Sequence, residues 1–547
     1  MPKTQLDQMC INALRVLAMD GVQKANSGHP GMPMGMADVA YTLWTRHLKH
    51  NPSNPKWSNR DRFILSAGHG SMLIYSLLYL TGYPLSLDDL KQFRQWESKT
   101  PGHPEYDPDM GVETTTGPLG QGFATGIGMA VAQKHLAALF NQPEFPIFDN
   151  RIYAIVSDGD MMEGITHEAA SIAGHLQLDN IIYFYDDNEI SIEGSTDITF
   201  RESVPDRFKA YGWHVQDING HDLDAIDSAI RTAQHTKGQP HLIVCHTHIA
   251  FGSPNLQDSH HAHGSPLGAE EIRLTKEAMD WPSMEPFFVP ENVLAYYRLA
   301  IPQGEQQEAS WRELLTSYEA SYPETSTELH RRLAGKLPEG WENALPVFTP
   351  SDSIATRAAS GKALAKLAEV IPELVGGSAD LEPSNKTYLP GQGDYQADTP
   401  TGRNFHFGIR EHGMGAMLNG LTLYGGLKAF GGTFLIFSDY MRPAVRLAAL
   451  MKLPVTYVWT HDSFYVGEDG PTHEPVEHLM ALRCIPGLTL IRPADGNETA
   501  AAWKIALEKK DGPVALALTR QNLPTVTQAG SQVYEDVSRG AYVLRDS

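Results

Sequence analysis

Cysteine is nearly absent from this chain of 547 residues: Cys10, Cys245 and Cys484 stand far apart, with no C-x-x-C pair. That excludes a disulfide-stapled scaffold and a cysteine zinc site, and it fits a reducing compartment, the cytoplasm. No apolar run is long enough to cross a bilayer. Residues 1–24 lack the basic-then-apolar order of a secretory signal and read as an amphipathic helix. Basic residues are in deficit, 43 Lys and Arg against 65 Asp and Glu for a formal charge of −22. This balance argues against nucleic acid and anionic membranes as partners. Short-period repeats and low-complexity tracts are missing too.

What the chain does contain is an alternation of β-like apolar runs with helix-like segments, the pattern of an α/β protein with mainly parallel sheets. Strands are expected at 151–157, 180–185 and 240–246, with helices at 123–140, 166–176 and 222–236. The length exceeds one hydrophobic core. A first domain is expected over 1–321, a linker over 322–350, a second domain over 351–530, and the start of a further domain over 531–547. In the second domain, Ser351 and Asp352 are expected to cap a helix through Val370, with strands at 374–378, 454–461, 488–493 and 513–518. A strand-like run opens at Gly540 and continues to Leu544.

Two expected strands end in acidic turns, Ser157-Asp158-Gly159-Asp160 and Asp186-Asp187-Asn188-Glu189-Ile190. Neighbouring strand ends would aim a carboxylate, an amide and a backbone carbonyl at one point. That hard-oxygen set suits Mg²⁺ or Ca²⁺ and has too few protein ligands for a closed cage. Phosphate oxygens complete it most naturally, although two ordinary acidic turns would look the same. Histidine is abundant, 23 residues, and His29, His69, His103, His263 and His473 sit in Gly- and Pro-rich loops. Each alone is more often a structural hydrogen-bonder. Five together suggest neutral donors to hydroxyls and cations for phosphate. The run from Gly120 to Gly126 misses a dinucleotide loop by one residue, because Thr125 stands where the last Gly is needed. Phe434, Phe437 and Tyr440 recur every three residues, a core stripe on propensity alone.

Read together, these segments resemble the transketolase family over residues 3–522. Matching stretches are Ala25-Asn-Ser-Gly-His-Pro-Gly31, Asn59-Arg-Asp-Arg-Phe63, Thr115-Thr-Gly-Pro-Leu-Gly-Gln-Gly122, Gly377-Ser-Ala-Asp-Leu381, Gly408-Ile-Arg-Glu-His412, Gly431-Gly-Thr-Phe434 and Gly467-Glu-Asp-Gly-Pro-Thr-His473. Asp158 and Asn188, thirty residues apart, match the thiamine-diphosphate motif, with Ser157 in place of its leading Gly.

The resemblance implies two doubly wound domains, one for the diphosphate and one for the pyrimidine of thiamine diphosphate. It implies Asp158, Asn188 and the Ile190 carbonyl as ligands of Mg²⁺ or Ca²⁺, and His69, His263 and the Gly159 N–H as phosphate contacts. Gly117, Leu119, Asp380 and Ile249 would lie against the thiazolium. Phe434, Phe437 and Tyr440 would hold the aminopyrimidine, and Glu411 would be the acid on its ring nitrogen, aided by burial. Glu163 resembles a carboxyl joining two sites. Substrate residues implied are Arg357, Ser384, His461 and Arg520 at the phosphate end, with His29, His103, His263, His473 and Asp469 near the reacting carbons. The implied activity transfers a two-carbon ketol unit from a ketose phosphate such as xylulose 5-phosphate to an aldose phosphate such as ribose 5-phosphate, in the pentose phosphate pathway. The implied assembly is a homodimer with interface sites. A dihydroxyacetone synthase, or a silent transketolase-like protein without the family's C-terminal third domain, shares the same motifs. Deoxyxylulose-phosphate synthase fits the 461–473 pattern less well.

Overall fold

Five parallel strands organise the first unit: β1 (Arg62–Leu65), β2 (Ile152–Ser157), β3 (Ile181–Asp187), β4 (His214–Asn219) and β5 (His241–His246), in the order β1-β2-β3-β5-β4. β2 and β3 are apolar along nearly their whole length because helices cover both faces of a parallel sheet. In register, Ser157 of β2 lies beside Asp186 of β3, so both acidic turns leave the same edge of the sheet. The computed structural model describes residues 4–544 and divides into two units, Met1–Ala130 with Gln142–Ser317 and Val131–Asn141 with Tyr318–Ser547.

The second unit is built on β6 (Ser353–Ala355), β7 (Leu374–Ser378), β8 (Asn404–His406), β9 (Lys428–Phe434), β10 (Thr456–Thr460), β11 (Thr489–Ile491), β12 (Val514–Leu518) and β13 (Asn522–Pro524). Six of them form a parallel sheet in the order β11-β12-β10-β9-β7-β8, and β13 pairs antiparallel with β6. Phe434 and Thr460 are register partners at the ends of β9 and β10.

Several local expectations differ from what is found. The first helix, Gln5–Ala25, starts in a Thr4–Asp7 capping box, but it is buried from Cys10 to Val22 rather than amphipathic. Even Arg15 is inside, paired with Asp38 and donating from Nε to the Met34 carbonyl at 2.9 Å. The stretch 322–350 carries a helix, Pro323–Leu333, with Pro323 in its first turn, where the missing N–H costs nothing. Ser351 and Asp352 cap no helix: Asp352 accepts from the Thr349 N–H at 2.6 Å, β6 follows, and the helix Thr356–Val370 has no side-chain cap. Residues 540–544 form no strand; a helix, Ser531–Ser538, precedes them. Among the described residues no helix is long and apolar enough to span a membrane.

Candidate active site

In the first unit the side chains gather where β2, β3 and β5 end, the edge at which parallel α/β sheets bind ligands. Asp158 opens a short helix, Asp158–Met162. Its Oδ1 accepts from the Tyr185 hydroxyl, while Oδ2 is buried with no partner among the described residues. Burial, together with the charges of Asp187, Asp186 and Glu189, pushes this carboxyl up to about 8. Asn188 donates to Asp186 at 2.8 Å and accepts from the Ile190 N–H at 3.0 Å, which turns the Asn188–Ile190 backbone beside the acidic strand end. An orphaned carboxylate oxygen beside an amide and concentrated negative charge is the donor chemistry of a hard divalent cation, so the residues fit such an ion.

Asp160, absent from the sequence-derived set, is the residue that ties this region together. Fully buried, it accepts from the Gly120 N–H (2.7 Å), the Ser66 hydroxyl (2.7 Å) and the Ser157 N–H (2.9 Å). The Gly117–Gly120 loop is thereby fastened to the Ser157–Asp160 turn. A methyl on Gly159 would stand 2.7 Å from Leu119, and one on Gly117 3.2 Å from the His103 ring, so these positions are in close contact. Glu163 is exposed as a residue, while partial burial of its carboxyl, and then Asp160, raise it.

Four predicted histidines come together. The His29 ring centroid lies 5.2 Å from His69, 5.5 Å from His263 and 6.4 Å from His103. The His69 and His263 rings stack at 5.1 Å. His29 Nδ1 lies 3.1 Å from the His263 carbonyl, and the Ala250 N–H donates to the Gly31 carbonyl at 3.0 Å, which draws the His29 turn onto buried Ile249. Burial, then mutual repulsion, holds His29 down to about 4 and His69 well below its ordinary range; burial lowers His103 and His263. These shifts favour the neutral form of the rings, which offers one donor and one acceptor nitrogen.

The second unit gathers its own set at the ends of β7, β9, β10 and β12. Phe434 and Phe437 stack at 5.8 Å, Tyr440 continues the row at 5.9 Å, and His461 lies over Phe434 at 3.7 Å. His473 meets Phe437 edge-on at 5.2 Å. The core expectation for this stripe holds only for buried Phe434, since Phe437 is half-buried and Tyr440 is 65% exposed. Glu411 begins the helix Glu411–Tyr424 and is 8% exposed, so burial raises its carboxyl. Arg357 donates to the Ser384 carbonyl at 3.1 Å and is close enough to Arg520 for the two cations to repel. Burial, then Arg357, brings His461 down to about 4, with Asp469 opposing. Asp380 and His461 both have left-handed backbones, φ +61° and +59°. Glu468, which the sequence did not single out, pairs with Arg520. Asn385 was missed as well; it donates to the Thr433 carbonyl at 3.1 Å and the Thr460 hydroxyl at 2.7 Å, binding the ends of β9 and β10.

The family model described as "Transketolase, thiamine diphosphate binding domain" matches residues 6–338, and "Transketolase, pyrimidine binding domain" matches 352–526. A transketolase of Halalkalibacterium halodurans is 56% identical over 98% of this chain and 81% of its own length. The chain belongs to the transketolase family. A solved Pichia stipitis transketolase in complex with sedoheptulose 7-phosphate superposes with a TM-score of 0.96 at 48% identity, covering 100% of this chain and 81% of that one. A transketolase from Leishmania mexicana does so at 0.96 and 46%, with the same coverage. The first matched range lies mostly in the first unit and the second matched range in the second.

Proposed function

We propose that this chain is a thiamine-diphosphate-dependent transketolase that moves a two-carbon ketol unit from a ketose phosphate such as xylulose 5-phosphate to an aldose phosphate such as ribose 5-phosphate. The observation that carries the reading is the convergence of four imidazoles, His29, His69, His103 and His263, in the same unit as the orphaned Asp158 oxygen. Asp158, Asn188 and the Ile190 carbonyl would hold Mg²⁺ or Ca²⁺, with His69, His263 and the Gly159 N–H on the diphosphate. Gly117, Leu119, Ile249, Glu163 and Asp380 would line the rest of the cofactor. Thiamine diphosphate, when bound, supplies the electron sink for carbon–carbon cleavage and formation.

The chain's residues do the remaining work. Glu411, its carboxyl raised by burial, serves as the acid on a heterocyclic nitrogen. Phe434, Phe437 and Tyr440 offer flat apolar faces for that ring. His29, His103, His263 and His473 bind sugar hydroxyls and move protons to and from them, and Asp469 selects the hydroxyl next to the carbonyl. Arg357 and Arg520, with Ser384 and His461, form the cationic end for the sugar phosphate, which supplies local positive charge in an acidic protein. The proposed setting is the pentose phosphate pathway in the cytoplasm. The proposed assembly is a homodimer in which the first unit of one chain and the second unit of its partner build each site.

Formation of sedoheptulose 7-phosphate from xylulose 5-phosphate and ribose 5-phosphate, followed by chromatography with thiamine diphosphate and Mg²⁺ present, tests the activity. Product that requires both sugars and the cofactor is the expected result; none at any cofactor concentration contradicts it.

A further inference from the structure

Arg94 has no place in the residue roles given above, yet its surroundings are those of a functional group. It is a non-glycine residue held at φ +61°, a backbone region that an ordinary side chain occupies only under constraint. Its guanidinium lies against the two turns that carry His29 and His103. A methyl on Gly28 would stand 3.5 Å from Nε, and one on Gly102 would stand 3.1 Å from Cζ. Nη1 donates to the Ser27 hydroxyl at 3.1 Å. Nε and Nη2 are buried and find no acceptor among the described residues. Leaving such donors unpaired is costly, and a guanidinium cannot relieve the cost by losing its proton. The buried Arg403, by contrast, satisfies its guanidinium on the backbone carbonyls of Ile371 and Ala368, whereas Arg94 has neither such carbonyls nor a carboxylate within ion-pair distance among the described residues.

Around the cation stand the Phe93 ring, 5.5 Å from Cζ, the Tyr75 phenol, which has Glu105 near it as well, and the two histidine-bearing turns. His29 is surrounded by Arg94, by the His103, His69 and His263 rings, and by the His263 carbonyl at its Nδ1. His103 has Arg94 on one side and the Gly117 backbone beside its ring. Resting on the ketol-transfer reading, we propose that Arg94 is a positioning residue: a permanent cation that pins the His29 and His103 turns together and opposes protonation of both rings. The two imidazoles then stay able to accept a proton from a substrate hydroxyl across the working pH range. Consistent with this, burial and then the neighbouring cations, Arg94 among them, lower His29, and burial followed by Arg94 lowers His103.

The test is the pH profile of kcat/KM for ketol transfer in the cofactor-loaded enzyme, measured for the native chain and for Arg94→Met, Arg94→Gln and Arg94→Lys. Thermal melting of each variant is recorded alongside. Removing the charge is expected to move the acidic limb upward by on the order of 0.5 to 1 pH unit, the influence of one neighbouring cation in partly wet protein. Arg94→Gln, which keeps hydrogen-bonding capacity, should show the same displacement as Arg94→Met, and Arg94→Lys should restore the native limb. A limb that stays in place in a folded, neutral variant overturns the proposal, however far the plateau falls. Arg94→Gln serves if Arg94→Met does not fold, and failure of both neutral variants to fold while Arg94→Lys retains the native profile makes the role structural and overturns it too. An inactive native chain at every pH overturns instead the ketol-transfer reading beneath it.

Discussion

At the scale of single residues, the proposed chemistry rests on groups whose surroundings move them from their ordinary charge, among them Glu411, which burial raises. In Glu411→Gln the shape persists but the shareable proton does not, so kcat should fall by about 10²–10⁴-fold. Thiamine diphosphate affinity, read by titration calorimetry, should change far less. A variant with near-native kcat would remove Glu411 from the reaction. Arg520 invites a change in the opposite direction. Its pairing with Glu468 competes with any phosphate, and the pair is partly exposed. Glu468→Gln should therefore lower KM for ribose 5-phosphate by roughly two- to five-fold, the range of an exposed ion pair; an unchanged or raised KM counts against a phosphate role for Arg520. The histidines stood out in the sequence because they sit in Gly- and Pro-marked turns, and Glu411 came only through the family resemblance of Gly408-Ile-Arg-Glu-His412. Glu468, Asn385 and Arg94 did not stand out, since an exposed Glu, a helix-end Asn and an Arg beside a Phe carry no local signature. Their meaning comes only from what the fold brings next to them.

Elements decide whether those residues meet. The joint between the Gly117–Gly120 loop and the end of β2 depends on buried Asp160, whose acceptor bonds reach three other residues. Asp160→Ala strips partners from buried donors and should cost roughly 3 kcal/mol in denaturant unfolding. It should also weaken cofactor binding; native stability in this variant would show the joint to be dispensable. Gly377 illustrates a motif residue with a structural meaning. It sits in β7 against β8, and a methyl there would fall 1.7 Å from the Phe405 carbonyl oxygen. Gly377→Ala should therefore separate the strand pair and lower the melting temperature by several degrees. β2, β3, β5, β10 and β12 were readable because they are continuous apolar runs, and β7 and β11 were expected as well. β9, at the centre of the second sheet, was not, since Gly431 and Gly432 interrupt its apolar run, and neither were β1, β4, β6, β8 and β13. β4 is only partly buried, β8 and β6 are three residues long, and the 322–350 stretch has the polar composition of a linker although it carries a helix. Long-range pairing, rather than local pattern, forms such elements.

For the whole molecule, burial of neutral histidine links folding to pH. His50, His135 and His241 are each held down to about 4, chiefly by burial. The unfolded chain binds these protons near pH 6.5 and the folded chain only near 4, so stability is complete above pH 6.5 and is lost as the pH falls between those values. Over that window unfolding free energy should drop by at least about 3 kcal/mol, and a flat profile would contradict the burial. The central claim is that the acidic turn of one protomer and Glu411 of its partner serve the same cofactor. Mixing chains carrying Asp158→Ala with chains carrying Glu411→Gln, after unfolding and joint refolding, tests it directly. Each variant alone should be inactive. If sites are shared between protomers, random pairing should restore about one quarter of native activity, since half the dimers are mixed and each has one intact site. Recovery of nothing from fully folded, fully mixed dimers would mean that both groups act within one chain, or not together at all.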